Sequence, residues 1–270
     1  MGLAPESSSI FSFGEYVPDV DVMQEEERRQ EGEYDFPYHY VPRFREGFTQ
    51  SFTWTWGRQY LAAVEFILAE IAGDSPQIES IVDLGCGDGR LTRELTIEFP
   101  GKRVTGIDYS ERAISLARGM NPGVDFICAD ITTGGPGDTY DAITLMEVFE
   151  HIPPDRCHAF VTALSKLLTD RGIVYLTVPH KNKAISYKHF QHFDEALLSA
   201  HFNQYFELDR IVHFDRKSRL NALFDAVMIN RLYVLNNTTL NNALYRLYKR
   251  YLFSATAGNA GRIYARLIKR

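Results

Sequence analysis

Cysteine is scarce in this chain: three occur in 270 residues, Cys86, Cys128 and Cys157. An odd set without ligand-like spacing supports neither a disulfide framework nor a zinc cluster. Two of the three fall in or next to expected strands, and a reduced, cytoplasmic setting is the expectation. No apolar run approaches the ~20 residues needed to span a bilayer, so no transmembrane segment is expected. Met1 to Ile10 lacks the basic and apolar regions of a signal peptide. Basic residues are almost missing at one end, where residues 1–35 carry ten acids against Arg28 and Arg29. Acids are almost missing at the other, where residues 216–270 hold eleven Lys or Arg against Asp225 alone. The net charge of −6 conceals this polarity. A basic C-terminal segment suits an anionic acceptor, nucleic acid or a membrane surface, or else the wet sides of helices. The acidic overall balance, with a pI near 5.8, and the lack of any RNA-binding module weigh against nucleic acid.

What is present is a hydrophobic content of 45%, enough for a sizeable core, and one organising stretch, Ile81 to Arg90. A short apolar run ends in an acid, and glycines follow at alternate positions 85, 87 and 89. Leu91 to Phe99 then shows helical spacing, giving strand, tight turn and helix. Glycine permits positive φ there and lets a ligand approach the backbone. The spacing G-x-G-x-G departs from the dinucleotide pattern G-x-G-x-x-G. Asp83, two residues ahead, would oppose a pyrophosphate and suits an ammonium group.

Further strands are read at Arg103–Asp108, Val124–Asp130, Tyr140–Met146, Gly172–Val178 and Tyr205–Phe214, with helices between the earlier ones. The alternation predicts a parallel sheet with helices on both faces, binding its ligand beyond the carboxyl ends of the strands. Asp83, Asp108, Asp130 and Glu147 all fall at those ends. Asp108 lies where the second strand of such a unit takes the two hydroxyls of a ribose.

Four pieces in order, VDLGCGDGR, GIDYS, CADI and DAITLMEVFEH, resemble the class I S-adenosylmethionine-dependent methyltransferases over roughly residues 54–215. The resemblance is nearest to the ubiquinone-biosynthesis type and to glycan and natural-product enzymes. It implies an α/β, Rossmann-like doubly wound sheet with an antiparallel last strand. It also implies S-adenosylmethionine as cofactor and S-adenosylhomocysteine as product. Gly85, Cys86 and Gly87 would line the methionine portion, Asp83 would hold the ammonium group, and Glu147 would complete that outline. Asp108 would bind the ribose, Tyr109 would flank the adenine, and Asp130 with Ile131 would reach its edge. Arg58, at the end of the aromatic segment, is counted with the cofactor-binding candidates.

The Met146–Pro154 segment resembles the E-V-x-E-H loop of the same enzymes, where cofactor sulfur meets acceptor. His151 is the first candidate for general base, because an imidazole near its ordinary pKa can take a hydroxyl proton. His189 and His192, in an H-x-x-H-F segment, would project over the acceptor or pack against Phe190 and Phe193. Glu147, Glu150 and His151 also match the E-x-x-E-H pattern of small-RNA 2′-O-methyltransferases, in which a later histidine completes a metal site. His180, His189 or His192 would be that ligand, and this metal-assisted reading stands second. A non-catalytic cofactor-binding subunit stands third.

The expected layout is an acidic flexible tail at 1–34, an aromatic and helical cap at 35–75 and a cofactor-binding core at 76–215. A helical acceptor-side insertion at 216–255 and the last strand at 256–270 complete it. The aromatic segment packs over the ligand or serves a homodimer interface. The expected activity is O-methylation of a sugar, glycan or other small natural product, with an anionic acceptor suited by the basic C-terminal segment.

Overall fold

The computed structural model describes residues 25–32, 39, 42, 45, 47, 48, 56–228, 233, 235 and 237–270. Seven strands form one sheet: β1 (Ser80–Leu84), β2 (Arg103–Asp108), β3 (Asp125–Cys128), β4 (Tyr140–Met146), β5 (Leu168–Pro179), β6 (Phe206–Arg216) and β7 (Ala260–Lys269). Their order is β3-β2-β1-β4-β5-β7-β6. Pairing is parallel from β3 through β5, and β7 runs antiparallel between β5 and β6. This is the Rossmann-like sheet that the sequence predicts, with the counter-running last strand.

Strand residues alternate between two cores, as a period of two requires. Val82, Ile143, Val174 and Leu176 face α6 (Cys157–Lys166) and α7 (Glu195–Phe202). Ile81, Ala142, Ile173 and Tyr175 face α2 (Trp56–Asp74) and α3 (Arg90–Glu98). From β1 the chain moves toward β2 on one side, and β4 lies on the other. The order therefore reverses between β1 and β4, which opens a crevice at their carboxyl ends. The short helices α4 (Glu111–Met120) and α5 (Ile131–Gly134) begin at that same edge, capped by the side chains of Ser110 and Asp130.

Two expectations change. Residues 25–32, placed in the flexible tail, form a helix, α1 (Glu25–Gly32). Its Arg29 donates to the Tyr187 carbonyl at 3.0 Å, and Glu27 pairs with Arg156 at 3.7 Å, so the helix lies across the crevice. The segment 216–255 does form helices between β6 and β7, namely α8 (Arg219–Met228) and α9 (Thr238–Tyr251). However, Tyr245, Tyr248 and Leu252 pack on Leu61 and Ala62 of α2. That makes an outer layer rather than an acceptor wall, because an apolar face at helical spacing takes whichever apolar surface is left open. Most of the aromatic stretch 35–55, and any interface it serves, lies outside the described residues.

Candidate functional site

The glycine turn after β1 holds three left-handed residues, with φ of 74° at Gly85, 56° at Gly87 and 79° at Gly89. A Cβ on Gly85 would stand 2.4 Å from Val148, so this position is closed to larger residues. Asp108 accepts the Gly87 N–H at one oxygen and the Ser110 N–H at the other, both at 2.9 Å. The acid at the end of β2 thus holds the turn after β1 in shape. Asp83, buried beneath the turn, accepts hydroxyl bonds from Thr92 at 2.7 Å and Thr144 at 2.8 Å. Burial lifts its pKa to about 6, against the lowering effect of those hydroxyls.

Two lobes share this crevice. The first is lined by Leu84, Gly85, Asp108, Tyr109, Asp130, Ile131, Val148 and Phe160, with Glu26, Glu27 and Gln30 of α1 across it. The second is lined by Asp83, Cys86, Gly87, Glu147, Glu150, His151, Lys183, His189, His192 and Arg262. Gly85, Glu147 and His151 border both, so the lobes adjoin. Acids dominate the turn and its rim. That donor set fits a cation with a sugar diol and opposes a pyrophosphate.

The loop after β4 is strained and buried. Glu147 has φ of 56°, the left-handed region a glutamate rarely adopts. Its Oε2 accepts from Arg262 at 3.0 Å, and Arg262 reaches Asp215 at 3.4 Å. Burial pushes the Glu147 pKa up, but the charges of Arg262 and Lys183 outweigh it and hold the carboxyl below its usual value. Glu150, in contrast, is pushed well up by burial and by the Glu147 charge. His151 Nδ1 lies 3.0 Å from the Lys188 carbonyl, and its ring meets His189 edge-on at 4.9 Å. His189 Nδ1 lies 2.8 Å from His192 Nε2, and His192 Nδ1 lies 3.2 Å from the Lys183 carbonyl. Burial and the neighbouring imidazoles lower the His189 pKa to about 2, and burial lowers His192. The three rings stand in one file.

The crevice gathers the candidates read from the sequence except Arg58 and His180. That guanidinium is buried against α8, donating at 2.8 Å to both Asn221 and Asp225 and lying 4.2 Å over the Tyr248 ring. It holds α2 to the insertion and lines neither lobe, which corrects its place among the cofactor contacts. His180 is likewise turned elsewhere, accepting the Asn182 N–H at 3.0 Å beside His213. His39 was missed. Its backbone N–H and Nδ1 approach Asp88 at 3.3 and 3.0 Å, and its ring stacks on Tyr60 in the second lobe. Arg90 also holds the carbonyls of His39 and Pro42 at 2.9 and 2.8 Å. A lone histidine in an aromatic stretch carries no sequence signal for this; Asp88 and Arg90 inside the turn motif were the available hint.

Much of the basic C-terminal segment is consumed internally. Arg266 pairs with Asp74 and Asp209, Lys249 with Glu65, and Lys269 binds the Leu168 carbonyl. No helix among the described residues is long and apolar enough to cross a membrane.

The sheet with its antiparallel β7, and the crevice at its switch point, match the Rossmann-like methyltransferase fold. Residues 81–172 match the family model described as a methyltransferase domain. The chain is 48% identical over 110 residues to a trans-aconitate 2-methyltransferase of Paracidovorax citrulli, covering 40% of this chain and 42% of that protein. It is 33% identical over 109 residues to a ubiquinone biosynthesis O-methyltransferase of Bordetella bronchiseptica, covering 38% and 43%. The chain thus spans less than half the length of these curated relatives. A solved S-adenosylmethionine-dependent methyltransferase from Archaeoglobus fulgidus shares the fold, with a TM-score of 0.50 at 18% identity, over 77% of this chain and 94% of that one.

Proposed function

We propose that this protein transfers a methyl group from S-adenosylmethionine to a small-molecule acceptor, a hydroxyl of a sugar, glycan or other natural product. The observation that carries the reading is the adjacency of the two lobes through Gly85, Glu147 and His151. The acid-rimmed turn and the histidine file open into one crevice and meet at Glu147 and His151. The related proteins named as trans-aconitate and ubiquinone-biosynthesis methyltransferases support a small acceptor.

Asp83, Gly85, Cys86 and Gly87 would hold the amino-acid end of the cofactor. Asp108, Tyr109, Asp130 and Ile131 would hold its nucleoside. When bound, the cofactor supplies an electrophilic methyl group on a sulfonium. The chain's own contribution is alignment of the acceptor with that methyl. Proton removal at the acceptor oxygen falls to His151, whose Nδ1–H is fixed by the Lys188 carbonyl so that the neutral ring presents Nε2 as base. Helix α1 across the crevice reduces access of water. An acceptor bearing negative charge is supported by Lys183 and Lys188 in the second lobe, not by the C-terminal segment. A reducing, cytoplasmic setting is supported by three free thiols. The RNA reading loses support where the basic residues are internally paired.

The test is a screen of sugars, nucleotide sugars, phenols, carboxylic acids and short RNAs with methyl-labelled cofactor. Label on a hydroxyl compound supports the reading. Label only on carboxylates or RNA would replace the acceptor class, and no cofactor binding would remove the activity altogether.

A further inference from the structure

The described residues expose twelve large hydrophobic side chains, and seven of these lie between Leu220 and Tyr251. Apolar residues scattered singly over a surface are ordinary, whereas a cluster marks a contact surface. On α8 the exposed Leu220, Leu223 and Val227 fall at i, i+3 and i+7, which is one stripe of the helix. The other exposed residues of α8 are Arg219, Ala222 and Ala226, so its outer side carries a single charge. On α9 the exposed Leu240, Leu247 and Tyr251 fall at i, i+7 and i+11, a second stripe. The inner sides are occupied: Phe224 and Met228 of α8, with Tyr245 and Tyr248 of α9, pack with Leu61 and Ala62 of α2. Both stripes therefore belong to the outer layer and face away from the core.

The charge of this layer has one sign. Residues 216–258 hold seven Lys or Arg against Asp225 alone, and Asp225 is taken by Arg58 at 2.8 Å. Lys249 pairs with Glu65, while Arg216 and Lys217 bind backbone carbonyls. Arg246 donates to the Asn242 carbonyl of its own helix at 3.3 Å, and Arg250 lies 5.3 Å over the Tyr251 ring. Neither of these two, nor Arg219, meets a carboxylate among the described residues. An apolar stripe with cations beside it and no acid is the make-up of a helix lying in the interface of an anionic bilayer. Leucines enter the acyl boundary, Tyr251 suits the headgroup level, and long arginine stems let the guanidinium groups reach lipid phosphates. A second copy of the chain fits less well. In a two-fold contact the same patch meets itself, which would set Arg219, Arg246 and Arg250 against like charges.

We propose that the outer layer formed by α8 and α9 is a peripheral docking surface for an anionic lipid bilayer, on which the protein lies without spanning it. The layer is tied to the crevice at its start. Lys217 binds the Asn182 carbonyl next to Lys183, and Asp215 holds Arg262, both at the second lobe. No residue of the two stripes lines either lobe, so the docking is independent of the methyl-transfer reading.

The test is sedimentation of the full chain with vesicles, without cofactor or acceptor. The wild type should bind vesicles of equimolar phosphatidylcholine and phosphatidylglycerol. On phosphatidylcholine alone it should bind at least ~10-fold more weakly, because each cation near an anionic surface adds roughly a factor of five. Added salt should weaken the anionic binding by screening. Leu223→Asp with Leu247→Asp, and separately Arg246→Glu with Arg250→Glu, should each lower it at least ~10-fold. All four side chains are exposed, so Tm should hold in both double variants. Ile97→Asp, similarly exposed on α3, should leave binding unchanged. A folded wild type that stays in the supernatant overturns the proposal, and light scattering then shows whether a second copy covers the face instead. Binding that both double variants retain overturns it as well. So does a wild type with no preference for the anionic vesicles, an outcome read whether or not a variant folds.

Discussion

Asp83 shows how much one side chain can set. Its carboxylate sits under the glycine turn with both oxygens bonded to threonine hydroxyls, and burial raises its pKa to about 6. Such an acid costs stability at neutral pH, and the cost is relieved as pH falls through 6 toward the ordinary value of 3.8. A cationic ligand beside it reverses the preference and binds the ionised form. Cofactor affinity, measured by calorimetry between pH 5 and 8, is expected to be level above neutrality. Below the Asp83 pKa it should fall by up to about tenfold per pH unit. Asp83→Asn should flatten that profile; a flat wild-type profile would contradict the ammonium contact. His151 is tested separately. His151→Ala should keep cofactor affinity and lower turnover at least ~10-fold, whereas turnover within a factor of about two would deny it the role of base.

Among the elements, the β1–α3 turn is the most demanding. Gly85 combines a φ of 74° with a closest approach of 2.4 Å to Val148 for any added Cβ. Gly85→Ala is expected to lose cofactor affinity through displacement of the turn against the loop after β4. Left-handed backbone alone costs an L-residue about 1–2 kcal/mol. Adding Val148→Ala should restore the steric share and not the backbone share. Equal affinities of the single and double variants would show that the contact is unimportant. The turn was legible from its glycine spacing, as were five strands and their acids, because local periodicity and chain reversal leave marks in sequence. The crossing of α1 over the crevice was not legible. It depends on Arg29 meeting Tyr187 and Glu27 meeting Arg156, residues more than a hundred positions apart.

At the scale of the molecule, Arg58 joins the core to the insertion. A cation next to the aromatic stretch resembled a cofactor contact, but α8 supplies Asp225 and Asn221 in its place. Removing one partner of a buried pair costs about 3–5 kcal/mol. Arg58→Ala is therefore expected to lower Tm by several degrees, roughly 2–4 °C per kcal/mol in a chain of this size, with cofactor affinity preserved. Weakened cofactor binding at unchanged Tm would return Arg58 to the crevice.

The sequence by itself determined the parallel βα core, the glycine turn and the acids at the strand ends, while the antiparallel last strand was implied by resemblance. Each rests on short-range pattern: period two, period 3.6, or a glycine where no other residue fits. Tertiary structure alone decided where the insertion packs, which charges cancel, and which histidines stand beside Glu150. Those outcomes depend on side chains from β4, β7 and the 183–192 segment converging on one crevice, and no spacing along a single chain encodes that convergence. In the function proposed, the acid-flanked turn would seat the methyl donor, and the file His151–His189–His192 beside Glu150 would face the acceptor.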